Sequence, residues 1–460
     1  MKKPPQSIKD KKLHARRRSI KEVIYASARS SFGERYLAPF AIAINSSSSL
    51  VAMLGSITGL LGPISQLFGS KLMNKHPRKK IITTSVFLES LIWIPLIIIA
   101  ALFYKGALTN FLPIFLITFF ALYTILANLG YPAYFSWTGD LVDKKFRGRW
   151  FSKRTLIFHF VTIIFAVSAA IFLDLFKENE FAIIGFIVLF ILALFGRLKC
   201  YRIFKKQYYP KIKIKEQKSF SFKEFLKESP KTNFGKFALF RTSLAFATSI
   251  SSPLLAVYLL RILGFDYTSY MAITLAGAVF MVLILNMWGK FSDKFGNYKI
   301  FIITTILIPL IPILWILFPS KIYLLLVPSI VGGIGWAGFN LAEKAFIYDS
   351  VDRQKRGKAI SYYNMLSGIG IFLGAGVGAI LIKVLTIKII EPIILIFLIG
   401  ALARMIAVFI WLPKIHEIRK TQKFKGMKDI ENILLHESRA ILTEEFHEIK
   451  AIKGYLEEPD

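Results

Sequence analysis

The chain has 460 residues, 55% of them hydrophobic and 42 of them phenylalanine, with a mean hydropathy of +0.54, which excludes a water-soluble fold and makes a bilayer the fitting solvent. The formal net charge of +32 sits in gaps between apolar runs rather than on a soluble domain, which argues against nucleic acid as a partner. Cys200 is the only cysteine, so no intramolecular disulfide forms.

Residues 1–22 are polar and basic (Lys2, Lys3, Lys9, Lys11, Lys12, Arg16, Arg17, Arg18), with no short apolar segment and cleavage site after them. They read as a cytoplasmic tail lying against anionic headgroups. Twelve apolar stretches of ~20 residues follow, enough to cross a hydrocarbon core. They are predicted at 23–44, 48–72, 81–104, 110–137, 153–174, 180–201, 236–261, 268–288, 299–318, 322–347, 359–384 and 390–412. Each is a helix, because lipid offers no partner for a sheet edge.

Alternate loops are strongly basic: 75–80 (Lys75, Arg78, Lys79, Lys80), 144–154 (Lys144, Lys145, Arg147, Arg149, Lys153, Arg154) and 202–235. The other set holds little beyond Lys105, Lys177, Arg261, Lys321, Lys383 and Lys388. The positive-inside rule therefore places both termini and the 202–235 loop in the cytoplasm, in a multi-pass plasma-membrane protein. The expected units are the tail 1–22, a six-helix half 23–201, a linker 202–235, a second half 236–412 and a tail 413–460. Within the linker, Ser221 and Glu224 form a capping box opening a short amphipathic helix that Pro230 stops. In the last tail, Leu435, Leu442, Ile449 and Leu456 recur at seven-residue steps with Phe446 and Ile452. That stripe suits packing on the bundle, on lipid, or on another copy by self-association.

The halves repeat. Arg29 and Pro39 in the first span match Arg241 and Pro253 in the seventh, and Arg197 matches Arg404. Gly69 after the second span matches Gly289 after the eighth. Asp140-Leu-Val-Asp143 with Arg147-Gly148 matches Asp349-Ser-Val-Asp352 with Arg356-Gly357, after the fourth and tenth spans. Two parallel six-helix units, duplicated, account for this.

The loop Gly289-Lys-Phe-Ser-Asp293-Lys294-Phe-Gly296-Asn-Tyr-Lys299 resembles the signature of the major facilitator superfamily, and the loop from Gly69 to Arg78 resembles it more loosely. The resemblance covers about residues 22–413. It implies an all-α integral membrane protein, twelve transmembrane helices as two pseudo-symmetric six-helix bundles, working as a secondary transporter by alternating access. It also implies that Asp293 latches the cytoplasmic side, with the start of the fifth span as its neighbour; a turn of solvated charges is the plainer reading. Gly289 and Gly296 suit close helix packing and a tight turn. The first-half copy has Met73 where the acid belongs and Pro77 in place of the glycine, which puts a charge latch there in question.

The paired aspartates Asp140/Asp143 and Asp349/Asp352 admit a metal, but the surrounding Arg and Lys repel a cation, and a gating salt-bridge network with Arg147 and Arg356 suits the duplication better. No metal and no cofactor is expected.

Charges inside the spans are costly and point to function. Glu34 and Arg35 near the middle of the first span, Arg29 one and a half turns from them and Glu89 in the third are the leading candidates for substrate or proton contact, and Glu34 with Arg35 also reads as an ion pair locking that span. Asn128 and His159 join them; His159 reads equally as a proton relay or as a packing residue. Asn340, Glu343 and Lys344 follow a glycine-rich run in the tenth span, as a binding group or as an interfacial pair. Arg241 and Arg404 fit anion ligands or helix-packing residues. Gly368, Gly370, Gly374, Gly376 and Gly378 let the eleventh span approach a neighbour closely. The fifth span lacks the Gly-Pro antiporter motif of the drug-exporting families.

No phosphate-cradling loop is present, so gradients rather than ATP drive the process. An enzyme is not expected: a membrane-embedded lipid-modifying enzyme needs clustered histidines and carboxylates, whereas His14, His76, His159, His416, His436 and His447 are scattered. A non-transporting lipid or solute receptor is the other alternative. The solute class stays open, and proton coupling rests on Glu34, Glu89 and His159.

Overall fold

A computed structural model describes residues 8–142, 147–178, 181–210, 221–351, 356–385, 391–419 and 421–422. Among these, eleven helices are long and apolar enough to cross a membrane, from Ser48–Leu72 through Arg78–Tyr104, Leu112–Asp140, Lys153–Glu178, Ala182–Lys206, Asn233–Ile262, Tyr267–Phe295, Asn297–Leu317, Lys321–Ser350 and Lys358–Val384 to Pro392–Lys414. These are spans two to twelve. The first crossing is a composite: helix Ile8–Ala28, a π turn Arg29–Gly33, a 3-10 turn Glu34–Tyr36 and helix Leu37–Ala43. Its charges and breaks keep it out of the apolar set. Twelve crossings thus form two six-helix bundles.

Residues 8–22, expected as a tail, are helical and docked. Ala15, Ser19, Glu22, Val23 and Ala26 fall on one helical face and are buried, and the Arg18 guanidinium donates to the Lys206 carbonyl. The third span breaks at Ile92, between Arg78–Leu91 and Trp93–Tyr104, because Pro95 has no N–H to give the Leu91 carbonyl. The linker helix Phe222–Glu228 is as expected: Ser221 Oγ accepts from the Glu224 N–H at 3.2 Å, and Glu224 Oε2 accepts from the Ser221 N–H at 2.8 Å. Beyond residue 422, the expected seven-residue stripe lies outside the described residues.

Three hydrophobic cores organise the molecule. At the end remote from the termini one core holds residues of both halves, with Tyr36, Phe40, Phe186 and Phe190 beside Leu254, Tyr258 and Phe397. Nearer the termini the core divides: Ala133, Trp137 and Phe204 belong to the first half, and Phe237, Phe301 and Phe346 to the second. Hydrogen bonds between the halves follow the remote core. Ser49 and Ser56 donate to the Ala379 and Phe372 carbonyls at 2.8 Å each, and Arg261 donates to the Ser46 carbonyl at 2.6 Å.

Inside the second half, Gly370, Gly374 and Gly378 face the carbonyls of Thr242, Phe246 and Ile250, so a four-residue stripe on the eleventh span meets a four-residue stripe on the seventh. No side chain fits between them. Gly374→Val is expected to cost about 1–3 kcal/mol through overpacking, read as a lower thermal midpoint of the purified protein. Gly139→Ala, where an added Cβ meets nothing within 4 Å, should leave that midpoint unchanged.

Candidate functional site

The break in the first span builds the centre of the first half. A π turn closes i→i+5, so residues five apart line up. Arg29 and Glu34 are such a pair, and Arg29 Nη1 lies 2.7 Å from Glu34 Oε1. Gly33 allows the turn to sit against the Trp93 indole, where a Cβ would have to displace the ring. Trp93 in turn packs edge-on against Tyr123 of the fourth span, centroids 5.3 Å apart.

Around this turn four charges cancel. Arg29 Nη1 also reaches Glu89 Oε1 at 3.2 Å, while Arg197 of the sixth span donates to Glu89 Oε2. The Tyr123 hydroxyl donates to Glu34 Oε1 at 2.5 Å and accepts from Arg29. Glu89 is 1% exposed, so its charge is tolerable only because two guanidinium groups flank it. The expected Glu34–Arg35 pair does not form. Glu34 is taken by Arg29 and Tyr123, and Arg35 makes no hydrogen bond or ion pair among the described residues; it still feels the Glu34 charge, and its other neighbours are Tyr270, Tyr36 and His159. His159 is exposed and packs edge-on against Phe158; no hydrogen bond ties it to Glu34 or Glu89 among the described residues.

The second half solves the same positions differently. Arg404, the counterpart of Arg197, is 5% exposed and donates to the Ile308 carbonyl at 3.0 Å. That carbonyl is free because Pro312, four residues on, has no N–H. Ile308 and Glu89 are separated by 219 residues, the same step that separates Asn297 from Arg78, so a backbone oxygen stands in for the carboxylate. Arg241, the counterpart of Arg29, lies 3.5 Å from Glu343 Oε1, which also accepts from the Tyr363 hydroxyl. Lys344 is exposed and unpaired among the described residues, and Asn340 is half-buried one turn from Glu343.

Two cavities result. One of about 370 Å³ lies inside the first half, lined by Glu22, Arg29, Glu34, Asn128, Arg154 and Arg197. Asn128 also accepts from Gln66 at 2.9 Å. The other, about 340 Å³, lies between the halves, lined by Pro63 and Gln66 from the first and by Arg241, Glu343, Tyr363 and Ser367 from the second. Ser367 is 8% exposed, and its hydroxyl has no partner among the described residues.

At the termini end, the first-half loop does carry an ion pair, through a residue other than the missing acid. Arg78 opens the third span and holds Asp140 at 2.6 Å and Ser136 at 2.8 Å. Gly69 is pressed against the Leu129 carbonyl, whereas Gly289 faces open space; Gly296, at φ +87°, makes the tight turn. Asp293 is exposed and makes no hydrogen bond or ion pair among the described residues, though the Arg419 guanidinium lies near enough to feel its charge. The carboxylate at a helix N-terminus here is Glu417, which accepts from the Tyr298 N–H at 2.8 Å, while Lys299 donates to the Gln422 carbonyl and the Lys294 carbonyl accepts from the Gln422 N–H. Asp349 meets Asn297 at 3.1 Å and Arg419 at 2.7 Å. Asp143 and Asp352 lie outside the described residues, and Arg147, Gly148, Arg356 and Gly357 are described as helix backbone only.

At the remote end, a pair of aspartates absent from the sequence reading clamps the eighth span. Asp174 of the fifth accepts from the Tyr267 and Thr268 N–H groups at 2.8 and 2.7 Å, joining the halves through a helix N-terminus. Asp266 caps the same helix, accepting from the Ser269 N–H at 2.6 Å, and pairs with Lys321. An acid just before a helix is the signal Asp266 left in the sequence, whereas Asp174, inside the end of the fifth helix, left none. Burial alone would raise the Asp266 carboxyl, but Lys321 and the Ser269 N–H and hydroxyl outweigh it and hold it at about 2, below the ordinary 3.8.

Two outcomes are expected. Glu89→Gln strands Arg197 and costs about 3–5 kcal/mol of stability, much of it recovered when Arg197→Gln is added, as read from thermal unfolding. The contribution of Asp266 is complete above its unfolded value and lost as pH falls from 3.8 through about 2. The deficit of Asp266→Asn should therefore be equal at pH 5 and pH 7 and vanish at the acid end.

The sequence matches the Major Facilitator Superfamily profile over residues 25–285 and again over 237–453. No curated protein sequence matches it. Among solved structures, the nucleoside transporter NupG is similar at 14% identity and a TM-score of 0.62, covering 88% of this chain and 98% of that one. A bacterial homologue of the iron transporter ferroportin is similar at 14% identity, 88% and 100% coverage and a TM-score of 0.64 in its inward-facing state, and at 0.54 in its outward-facing state. An inward-facing bacterial homologue of the lysosomal transporter Spinster gives 0.59 at 14% identity, covering 96% and 99%. At such identities these likenesses speak for the fold. The two-fold match along the sequence, with twelve crossings in two bundles, makes the chain a member of the major facilitator superfamily of membrane transporters.

Proposed function

We propose that the chain is a secondary active transporter that moves a small polar solute of no net charge across the plasma membrane by alternating access. The supporting observation is the divided core: both halves share one apolar core at the remote end and keep separate cores near the termini. With the termini cytoplasmic, as the basic loops favour, this is a conformation closed outside and open inside. The higher likeness to the inward-facing than to the outward-facing ferroportin homologue agrees with it.

The solute site is the cavity between the halves. Arg241 and Glu343 supply one charge of each sign, Tyr363 and Ser367 supply hydroxyls, and the unpartnered Ser367 awaits an acceptor or donor. A neutral polyol, nucleoside or zwitterion satisfies such a lining, while a net anion would leave Glu343 uncompensated. Proton coupling falls to Glu34 rather than Glu89: Glu34 is 35% exposed and lines the inner cavity, whereas Glu89 is sealed at 1%.

The test is thermal stabilisation of the purified protein by nucleosides, sugars, amino acids, organic anions, lipids and amphiphilic cations, followed by flux into proteoliposomes. A ligand at 100 times its Kd raises stability by about 2.7 kcal/mol. Stabilisation by a neutral or zwitterionic solute, lost in Arg241→Ala, is expected; stabilisation by organic anions alone would reject the assigned class. Flux of that solute should lose its dependence on a pH gradient in Glu34→Gln, and retention of that dependence would remove the proton role.

A further inference from the structure

The repeated loops differ in one charge. In the first half, Arg78 opens the third span, is 3% exposed, and holds Asp140 at the end of the fourth. Its counterpart at the start of the ninth span is Asn297, which faces Asp349, the counterpart of Asp140 at the end of the tenth. An amide supplies a hydrogen bond but no charge, so among the described residues of the repeat unit Asp349 meets no cation.

That cation comes from outside the repeat. Past the twelfth span, residues 413–419, with 421–422 beyond them, run back across the turn at Gly296. Ile415 is fully buried, and the His416 backbone is held by both ends of the Asn233 amide at 2.9 and 3.1 Å. Glu417 then caps the ninth span through the Tyr298 N–H, and its other oxygen accepts from the Ile418 and Arg419 N–H groups at 3.0 and 3.2 Å, folding the strap into a turn. This turn aims Arg419: Nε lies 2.7 Å from Asp349 Oδ2 and Nη2 lies 3.1 Å from Oδ1, a two-pronged pairing. Beyond it, the Lys299 ammonium donates to the Gln422 carbonyl at 2.7 Å.

We propose that Arg419 is a gating residue: carried on the strap after the last span, it replaces within the second half the arginine that the first half carries as Arg78, tying the end of the tenth span to the start of the ninth so that this half rocks as one body. The reading rests on alternating access, and on the repeat. The strap carries its guanidinium among Asp349, Asp293 and Glu417, with the two-pronged pairing made to Asp349, the carboxylate whose repeat counterpart is held by Arg78.

The pair is partly exposed, so its effect is that of a favourable surface pair rather than a buried one. Backbone hydrogen exchange of the purified full chain reads the latch without any solute. Arg419→Ala is expected to speed exchange at residues 345–350 and 297–301 by about three- to fivefold, with other helix ends unchanged. Asn297→Arg added to Arg419→Ala should restore protection by rebuilding the first-half arrangement. Because Asn297 is fully buried, a second measurement covers poor accommodation there: the effect of Asp349→Asn on exchange should shrink in the Arg419→Ala background. Unchanged exchange in Arg419→Ala, or an undiminished Asp349→Asn effect in that background, overturns the latch. In proteoliposomes Arg419→Ala should slow turnover while leaving solute-induced thermal stabilisation intact. An exchange response with unaltered turnover overturns the gating role alone, and a wild-type chain that moves no solute while its exchange still answers to Arg419→Ala overturns the transporter reading and leaves the latch.

Discussion

A guanidinium held in hydrocarbon is costly unless it meets acceptors, because neither water nor deprotonation readily relieves it. Much of this bundle is arranged by that requirement. Arg29 and Arg197 draw Glu34 and Glu89 together from three spans, Arg154 holds Glu22 at 2.7 Å, and Arg78 holds Asp140. Where no acid is at hand, Arg404 takes a carbonyl that a proline has set free. Each solution ties spans that the apolar effect alone would leave free to slide, since lipid is as welcoming to leucine as a neighbouring helix is.

Duplication explains why these solutions come in related pairs, and divergence explains why they are unequal. The first half encloses its charges: Glu89 is sealed, and the cluster cancels internally. The second half leaves its counterpart at Arg241 against a cavity shared with the first. The charges of the first-half cluster thus pair within their own half, while the second half turns Arg241, Glu343 and Ser367 toward the interface. That asymmetry suits a carrier whose solute is gripped mainly by one half as both rock around it.

The stripes of small residues serve a different purpose. The glycines of the eleventh span meet carbonyls of the seventh, and Gly59 and Gly368 bring the second and eleventh spans to backbone contact across the interface. Backbone approach of this kind gives a sliding surface without interlocking side chains, which fits an interface that repacks between conformations.

The hydropathy of the sequence by itself determined the twelve crossings, and its steps between matching residues determined the duplication, because apolar length and repetition are properties of the chain alone. The capping box at Ser221 was equally legible, since both its partners lie within one turn. The pairings were not. Arg29 with Glu34 depends on a π turn, which no α-helical spacing anticipates; the break turns the Glu34 carboxylate to Arg29 rather than into an ion pair with Arg35. Asp174 and Arg419 find their partners 93 and 70 positions away, through a helix end and a returning strap. Only the tertiary structure decides such contacts, because the cost of a buried or stranded charge is settled by what the fold brings next to it rather than by what precedes it in the chain.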